Sequence, residues 1–210
     1  MNIRGIILEG YSNSGKTSLL RAIKQYQAQD ETSESSVVIL GEHYSQILNN
    51  VHGKLVQLSQ EQHIDLLRNR VDMIKQLNDW ANFLGPGRRK SRGLFFVLER
   101  FHLNHRVAFS ESNPIEITEL EKQLYELGAK CMLLTISNDK AEERIKSRNS
   151  EDWLNKSKES IEQACKDLIE TQNILRIQAA KSVVPTTEMN TDHKNWDEYA
   201  RLIMEDHDFA

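Results

Sequence analysis

The chain has little cysteine, no long apolar run and no marked excess of either charge. Two cysteines, Cys131 and Cys165, are too few for a disulfide-stapled scaffold. They sit in a strand-like and a helix-like run and read as buried free thiols of a reducing compartment, so the expected location is cytoplasmic. No apolar stretch approaches the length of a membrane span, which predicts no membrane partner. The first strand is expected to begin almost at the N-terminus, leaving no room for a signal peptide. Lys and Arg number 27 against 31 Asp and Glu, a net charge of −4, so nothing global draws the chain to nucleic acid. Seven histidines lack zinc-type spacing; His102 and His105 lie three apart without companions, and a metal site there is disfavoured. There is no internal repeat and no low-complexity block. With 210 residues, a single domain spanning 1–210 can bury a full α/β core.

One local pattern is specific. In "ILEGYSNSGKTSLL" (7–20), Gly10, Gly15, Lys16 and Thr17 fit G-x-x-x-x-G-K-[ST], the phosphate-binding P-loop. Glycines let the chain turn tightly enough for successive N–H groups to face phosphate oxygens, and the helix that follows favours an anion at its N-terminus. Ile3, Ile6, Ile7 and Leu8 read as the buried strand before the loop, and Ser18 to Tyr26 as the helix after it. Gly10, Ser12, Asn13, Ser14, Gly15, Lys16, Thr17 and Ser18 are therefore the expected nucleotide-binding positions. Lys16 is expected to reach the β- and γ-phosphates and the Thr17 hydroxyl to bind Mg²⁺.

Beyond the loop, apolar runs alternate with helical patterns. Strands are expected at Val37–Leu40, Leu94–Leu98, Cys131–Ile136 and, shortly, Ser182–Val184. Helices are expected at 61–84, at 115–127 between Pro114 and Gly128, after Asn138, at 157–180 and at 193–205. Such alternation predicts a parallel sheet covered on both faces, with ligands bound beyond the carboxyl ends of its strands. Glu42 follows the second strand, Glu99 and Arg100 the third, and Arg144 and Arg148 lie beyond the fourth. Glu99 is a candidate for the Mg²⁺ shell, Arg100 for an acceptor phosphate or the transferring group, and Glu42 for a proton acceptor. Arg144 and Arg148, four apart on one helix face, are candidates for a lid at about 144–157 that excludes water, against a plain solvated helix end. Leu66, Met73, Leu77 and Trp80 suggest an apolar stripe in which Arg70 needs a partner, a protein carboxylate or a ligand. The basic loop "GPGRRKSRG" (85–93) reads as a solvated connection, with a polyanion contact as the sharper alternative.

The chain resembles the thymidylate kinase and deoxynucleoside kinase group of P-loop kinases. The resemblance lies in "LEGYSNSGKTSLL" with Glu9 before the first glycine, "LERFHLNHRVAF" after strand three, "LLRNRVDMIKQL" around Arg70, and "LTISNDKAEERIKSR" at the fourth strand and lid. It implies a three-layer α/β P-loop NTPase fold, a five-stranded parallel sheet in the order 2-3-1-4-5 and a helical lid. It further implies ATP with Mg²⁺, a nucleoside or nucleoside monophosphate acceptor held by Glu42, Arg70, Glu99 and Arg100, and a homodimer. Two departures leave the acceptor open: Gly41-Glu42-His43 replaces the Arg-Glu-Pro usual in thymidylate kinases, and Glu99-Arg100-Phe101 leans toward deoxynucleoside kinases. A GTP switch is disfavoured because "SNDKA" has the wrong order for Asn-Lys-x-Asp. A regulatory or nucleic-acid-associated ATPase is the main alternative, beside a kinase of another small acceptor.

Overall fold

In the computed structural model, residues 3–29, 34, 36–84, 93–110, 113–148 and 156–205 are described, apart from the side chains of Leu84 and Arg148. In chain order the elements begin with β1 (Ile3–Glu9), α1 (Lys16–Gln29), β2 (Ser36–Leu40), β3 (Leu48–Val51), β4 (Lys54–Gln57) and α2 (Gln60–Leu84). They continue with β5 (Leu94–Glu99), α3 (His102–Ala108), α4 (Ile115–Glu126), β6 (Ala129–Thr135) and α5 (Ala141–Arg148). The last are α6 (Lys158–Ala179), β7 (Thr186–Asn190) and α7 (Trp196–Glu205).

The period-two pattern of the strands builds a core on each face of the sheet. Ile7, Phe96 and Leu98 point to one side, where they meet Ile64, Leu67, Val71 and Ile74 of α2 and Leu120 and Leu124 of α4. Ile6, Leu8, Phe95 and Val97 point to the other, against Leu19 and Ile23 of α1 and Ile203 of α7. Each of these side chains is almost fully removed from water, which contributes roughly 1.5–3 kcal/mol per large residue. A third cluster joins Ile136, Ala141, Ile145 and Leu168, and seats α5 on α6. The two cysteines are unpaired, Cys131 buried and Cys165 half-buried. Among the described residues no helix is long and apolar enough to cross a membrane, and no group of three or more His, Cys, Asp or Glu side chains is placed to hold a metal.

The main sheet is five-stranded and parallel, with the order β2-β5-β1-β6-β7. The five segments lie side by side in the expected order 2-3-1-4-5, which reads 2-5-1-6-7 when every strand is numbered; the correction is an insertion, because β3 and β4 form a separate antiparallel hairpin between β2 and β5. The hairpin turns at His52 and Gly53, both with positive φ. A second correction concerns the last strand, which is Thr186–Asn190 and not Ser182–Val184. Pro185 accepts the Cys131 N–H at the entry to this pairing, and the polar run that follows takes the register Cys131↔Thr186 to Thr135↔Asn190. A third concerns α2. Its buried stripe is Ile64, Leu67, Val71 and Ile74, whereas Leu77 is 42 % and Trp80 60 % exposed. The helix is turned by about one residue, roughly 100°, so Arg70 sits half-buried at the border of the core.

Candidate active site

β1 ends at Glu9, and the next six residues reverse the chain into α1. Gly10 and Gly15 adopt φ of +140° and +97°, and Asn13 joins them at +75°. A Cβ on Gly10 would lie 2.6 Å from the Leu134 carbonyl oxygen, and one on Gly15 would lie 2.1 Å from the Trp196 ring. Only glycine satisfies both backbone and space at these points. Ser14 is buried and its Oγ has no partner among the described residues. Thr17 stands exposed at the mouth of the loop, beside the half-buried Ser12, Asn13 and Ser18. Lys16 folds back over the loop, its Nζ donating to the carbonyl oxygens of Gly10 at 2.8 Å and Tyr11 at 3.0 Å. Burial, reinforced by the nearby Arg100 guanidinium, pulls the Lys16 ammonium down to about 7.

The end of β5 brings the second part of the site. Arg100 takes a left-handed backbone conformation (φ +49°) unusual for a residue with a long side chain. Its N–H is held by the Leu8 carbonyl at 3.0 Å. That turn throws the guanidinium across the mouth of the loop. Nη2 donates to Ser12 Oγ at 2.7 Å, and Nη1 lies 3.1 Å from Glu42 Oε1. Arg100 thus bridges the phosphate loop and the segment after β2, while its Nε is buried without a partner among the described residues. Glu99 is 6 % exposed. Its Oε2 accepts the Glu42 N–H at 3.2 Å, and its Oε1 has no donor among the described residues. Ser45 Oγ donates to the Glu99 carbonyl at 2.5 Å. Arg70 lies beside this group with its guanidinium carbon 5.9 Å from the centre of the Tyr44 ring and its Nε buried and unpartnered.

Glu9 supports both parts from below. It is fully buried, and its Oε1 accepts the N–H groups of Phe101 at 2.8 Å and Leu103 at 2.9 Å, so it ties β1 to the start of α3. Burial nevertheless pushes its carboxyl up to about 7.

On the opposite side of the loop, Arg144 is 5 % exposed. Its Nη2 donates to the Thr191 carbonyl oxygen and to Thr191 Oγ1, and its guanidinium carbon lies 5.6 Å from the centre of the Trp196 ring. Thr191 Oγ1 in turn donates to the Ser14 carbonyl at 2.8 Å. The expected lid at about 144–157 is described only in part: the Arg148 side chain and residues 149–155 lie outside the described residues. So does most of the basic loop 85–93.

These pieces enclose one cavity of about 250 Å³, with Arg144, Ser147 and Trp196 at one end, the loop as its floor, and Glu42 and Arg100 at the other. Of the residues singled out in the sequence, Ser12, Asn13, Gly15, Lys16, Thr17, Ser18, Glu42, Arg100 and Arg144 line it, whereas Gly10 and Ser14 do not. Glu99 supports Glu42 from behind, and Arg70 flanks the Glu42 end through Tyr44. Sequence reasoning missed Trp196, Thr191 and Ser45. Their partners lie far along the chain, 177 residues away for Thr191 and Ser14, and no local motif announces them. The buried Glu99 Oε1 and the exposed Thr17 hydroxyl fit the oxygen donors that a hydrated Mg²⁺ takes. The loop and Lys16 fit a polyphosphate.

No family model matches the chain, and no curated protein matches it in sequence. Solved structures do match it in fold. The Bacillus subtilis YorR protein, solved in complex with phosphorylated GDP, is similar with a TM-score of 0.59 at 14 % identity, over 95 % of this chain and 93 % of that one. A sugar kinase from Janibacter gives a TM-score of 0.51 at 12 % identity, over 98 % and 96 % of the two chains. Polyphosphate kinase 2 from Arthrobacter aurescens gives 0.53 at 15 % identity, over 97 % of this chain and 68 % of that chain. With its parallel sheet and its loop, the chain has the fold of the P-loop kinases.

Proposed function

We propose that the chain is an ATP- and Mg²⁺-dependent phosphotransferase whose acceptor is a nucleoside or a nucleoside monophosphate. The observation that carries this reading is Arg100, which joins Ser12 of the phosphate loop to Glu42 in a single side chain. A group that spans donor and acceptor sides is placed for the charge that moves between them. The backbone N–H groups of 10–17 and Lys16 hold the donor's phosphates. Thr17 and Glu99 would hold a Mg²⁺, which would supply neutralisation of phosphate charge during transfer. Glu42 orients the acceptor hydroxyl or phosphate oxygen and takes a proton where the acceptor has one to lose. Arg70, stacked over Tyr44 with its Nε free, offers a flat cation to a planar base. Arg144 and Trp196 close the donor end and keep water out.

The nucleotide complex of YorR supports a nucleotide at such a site. The sugar kinase and polyphosphate kinase likenesses support a second reading, a kinase of another small acceptor on the same frame. A panel of nucleosides, nucleoside monophosphates, sugars and polyphosphate with labelled ATP separates the two. Label transferred to a nucleoside or monophosphate is the expected result. Transfer only to a sugar or polyphosphate would move the assignment to the second reading. ATP hydrolysis stimulated by DNA or RNA, with no acceptor labelled, would replace both.

A further inference from the structure

A second cavity, of about 290 Å³, opens between α3, α4 and the residues that follow α6. It shares no lining residue with the cavity over the phosphate loop. Phe109, Pro114 and Ile117 give it apolar wall, and His105, Arg106 and Lys181 give it polar groups.

The histidine is the informative one. His105 Nδ1 lies 2.8 Å from His63 Nδ1, and His63 Nε2 lies 2.8 Å from the Ser45 carbonyl oxygen. Both rings are buried. Burial pulls His105 down to about 4 and lowers His63 as well, so both are neutral near pH 7. A carbonyl cannot donate, so the proton of neutral His63 sits on Nε2 and its Nδ1 is an acceptor. The bond between the rings then requires the His105 proton on Nδ1. His105 Nε2 is left as a lone pair, with no donor among the described residues, in the ring that lines the cavity.

The cations of the cavity are also incompletely engaged. Glu121 takes Arg106 Nε at 2.5 Å and Nη2 at 2.8 Å, and its Oε2 also accepts the Val183 N–H at 3.1 Å. Arg106 Nη2 also donates to Thr118 Oγ1 at 3.2 Å, while Nη1 has no partner and Lys181 no carboxylate among the described residues. One carboxylate, that of Glu121, stands against the two cations that line the cavity, Arg106 and Lys181.

The other end of the histidine chain is the candidate active site. Ser45, whose carbonyl holds His63, donates its hydroxyl to the Glu99 carbonyl at 2.5 Å and lies 3.3 Å from the Glu42 carbonyl. A donor that engages His105 Nε2 strengthens the bonds along the row and tightens the grip on Ser45.

We propose that this cavity is a second ligand site, for a small organic anion no larger than a nucleoside monophosphate that also offers a hydrogen-bond donor, and that His105, His63 and Ser45 transmit its occupancy to the loop carrying Glu42. The volume sets the size, at the lower edge of the roughly 300–1,000 Å³ of small-molecule sites. Lys181 and Arg106 take the anionic group, His105 the donor, and Phe109 and Ile117 the apolar body. The binding stands apart from the phosphotransfer reading; an effect on turnover rests on it.

Imidazole ¹⁵N spectra of the whole protein test this directly, titrated with nucleoside monophosphates, with the matching nucleosides and with inorganic phosphate. The expected result is that one or more of the monophosphates shifts His105 Nε2 without protonating it, that the His63 resonances follow, and that nucleoside or phosphate alone binds more weakly. Lys181→Glu should weaken the response about tenfold or more and leave turnover without the ligand unchanged. Arg100→Ala should leave the His105 response intact. The proposal falls if no probe moves His105, if the shift survives Lys181→Glu unchanged, or if it disappears in Arg100→Ala, which would put the ligand in the other cavity. A full His105 response in a protein that phosphorylates no acceptor would uphold this site and remove the phosphotransfer reading.

Discussion

The two ends of the phosphate-loop cavity are satisfied to different degrees. At the donor end the protein largely meets its own needs: Lys16 Nζ donates to Gly10 and Tyr11, and Arg144 to Thr191. Ser14 Oγ and Arg144 Nε are the polar atoms left over there. At the acceptor end Arg70 Nε, Glu99 Oε1 and Arg100 Nε are all buried without partners among the described residues. An unmet buried polar group costs roughly 1–3 kcal/mol, so a ligand that supplies these partners gains most at the acceptor end. The donor end instead exchanges internal bonds for bonds to the ligand. The first arrangement favours selectivity for what fills it, and the second a donor bound by any chain with this loop.

The largest effect should come from breaking the donor end. Lys16→Ala is expected to lower kcat by about 10³-fold, since the loop loses the charge that faces the transferring group. Turnover within tenfold of the parent would remove the loop from the chemistry. Arg100→Ala tests whether the ends are separable. We expect kcat to fall about 10²-fold while ATP affinity, measured by calorimetry, changes less than threefold. Equal losses in both would mean that Arg100 serves the donor end and that the two ends are one.

The same contrast runs through what could be read from the sequence. The loop was legible because residues 10–18 carry their own geometry, with glycines where the backbone turns and Lys16 opening the helix. Glu42, Glu99 and Arg100 were legible as residues that end parallel strands, although only the structure shows Arg100 joining Ser12 to Glu42. The hairpin at 48–57 was not seen. Its side chains Leu48, Leu55 and Val56 are exposed, so burial imposes no two-residue rhythm, and the only local mark is the His52-Gly53 turn. The strand 186–190 escaped for a related reason: "TTEMN" is polar, and its pairing with β6 is a backbone interaction that composition does not record. On α2 the sequence offers two stripes of the same period one residue apart, because Leu66 and Leu67 are adjacent and either can open one; the structure buries that of Leu67.

A smaller effect is expected at the wall of the donor end. Gly15→Ala adds a Cβ 2.1 Å from the Trp196 ring at a φ of +97°. Strain of this kind costs about 1–3 kcal/mol, read as a lower urea midpoint. Adding Trp196→Ala removes the collision and leaves the backbone strain, so the double variant should regain part of what the glycine change lost. If Gly15→Ala alone is as stable as the parent, Trp196 does not brace the loop.

The smallest effect is a pH dependence confined to the donor end. In the free protein the Lys16 ammonium is pulled down to about 7, by burial first and Arg100 second, against an ordinary 10.5. Polyphosphate favours the charged form, so the bound protein keeps the proton to higher pH. Below pH 7 the lysine is already charged and its contribution to affinity is flat. Above it, binding must take up a proton, and ATP affinity should fall by about eightfold between pH 6.5 and pH 8. Calorimetry in two buffers of different ionisation enthalpy reads that proton directly. Lys16→Arg, charged throughout, should show neither the uptake nor the slope. Proton uptake that persists in Lys16→Arg would assign the titration to another group, with Glu9, pushed up to about 7 beneath the same loop, the first to examine by Glu9→Gln.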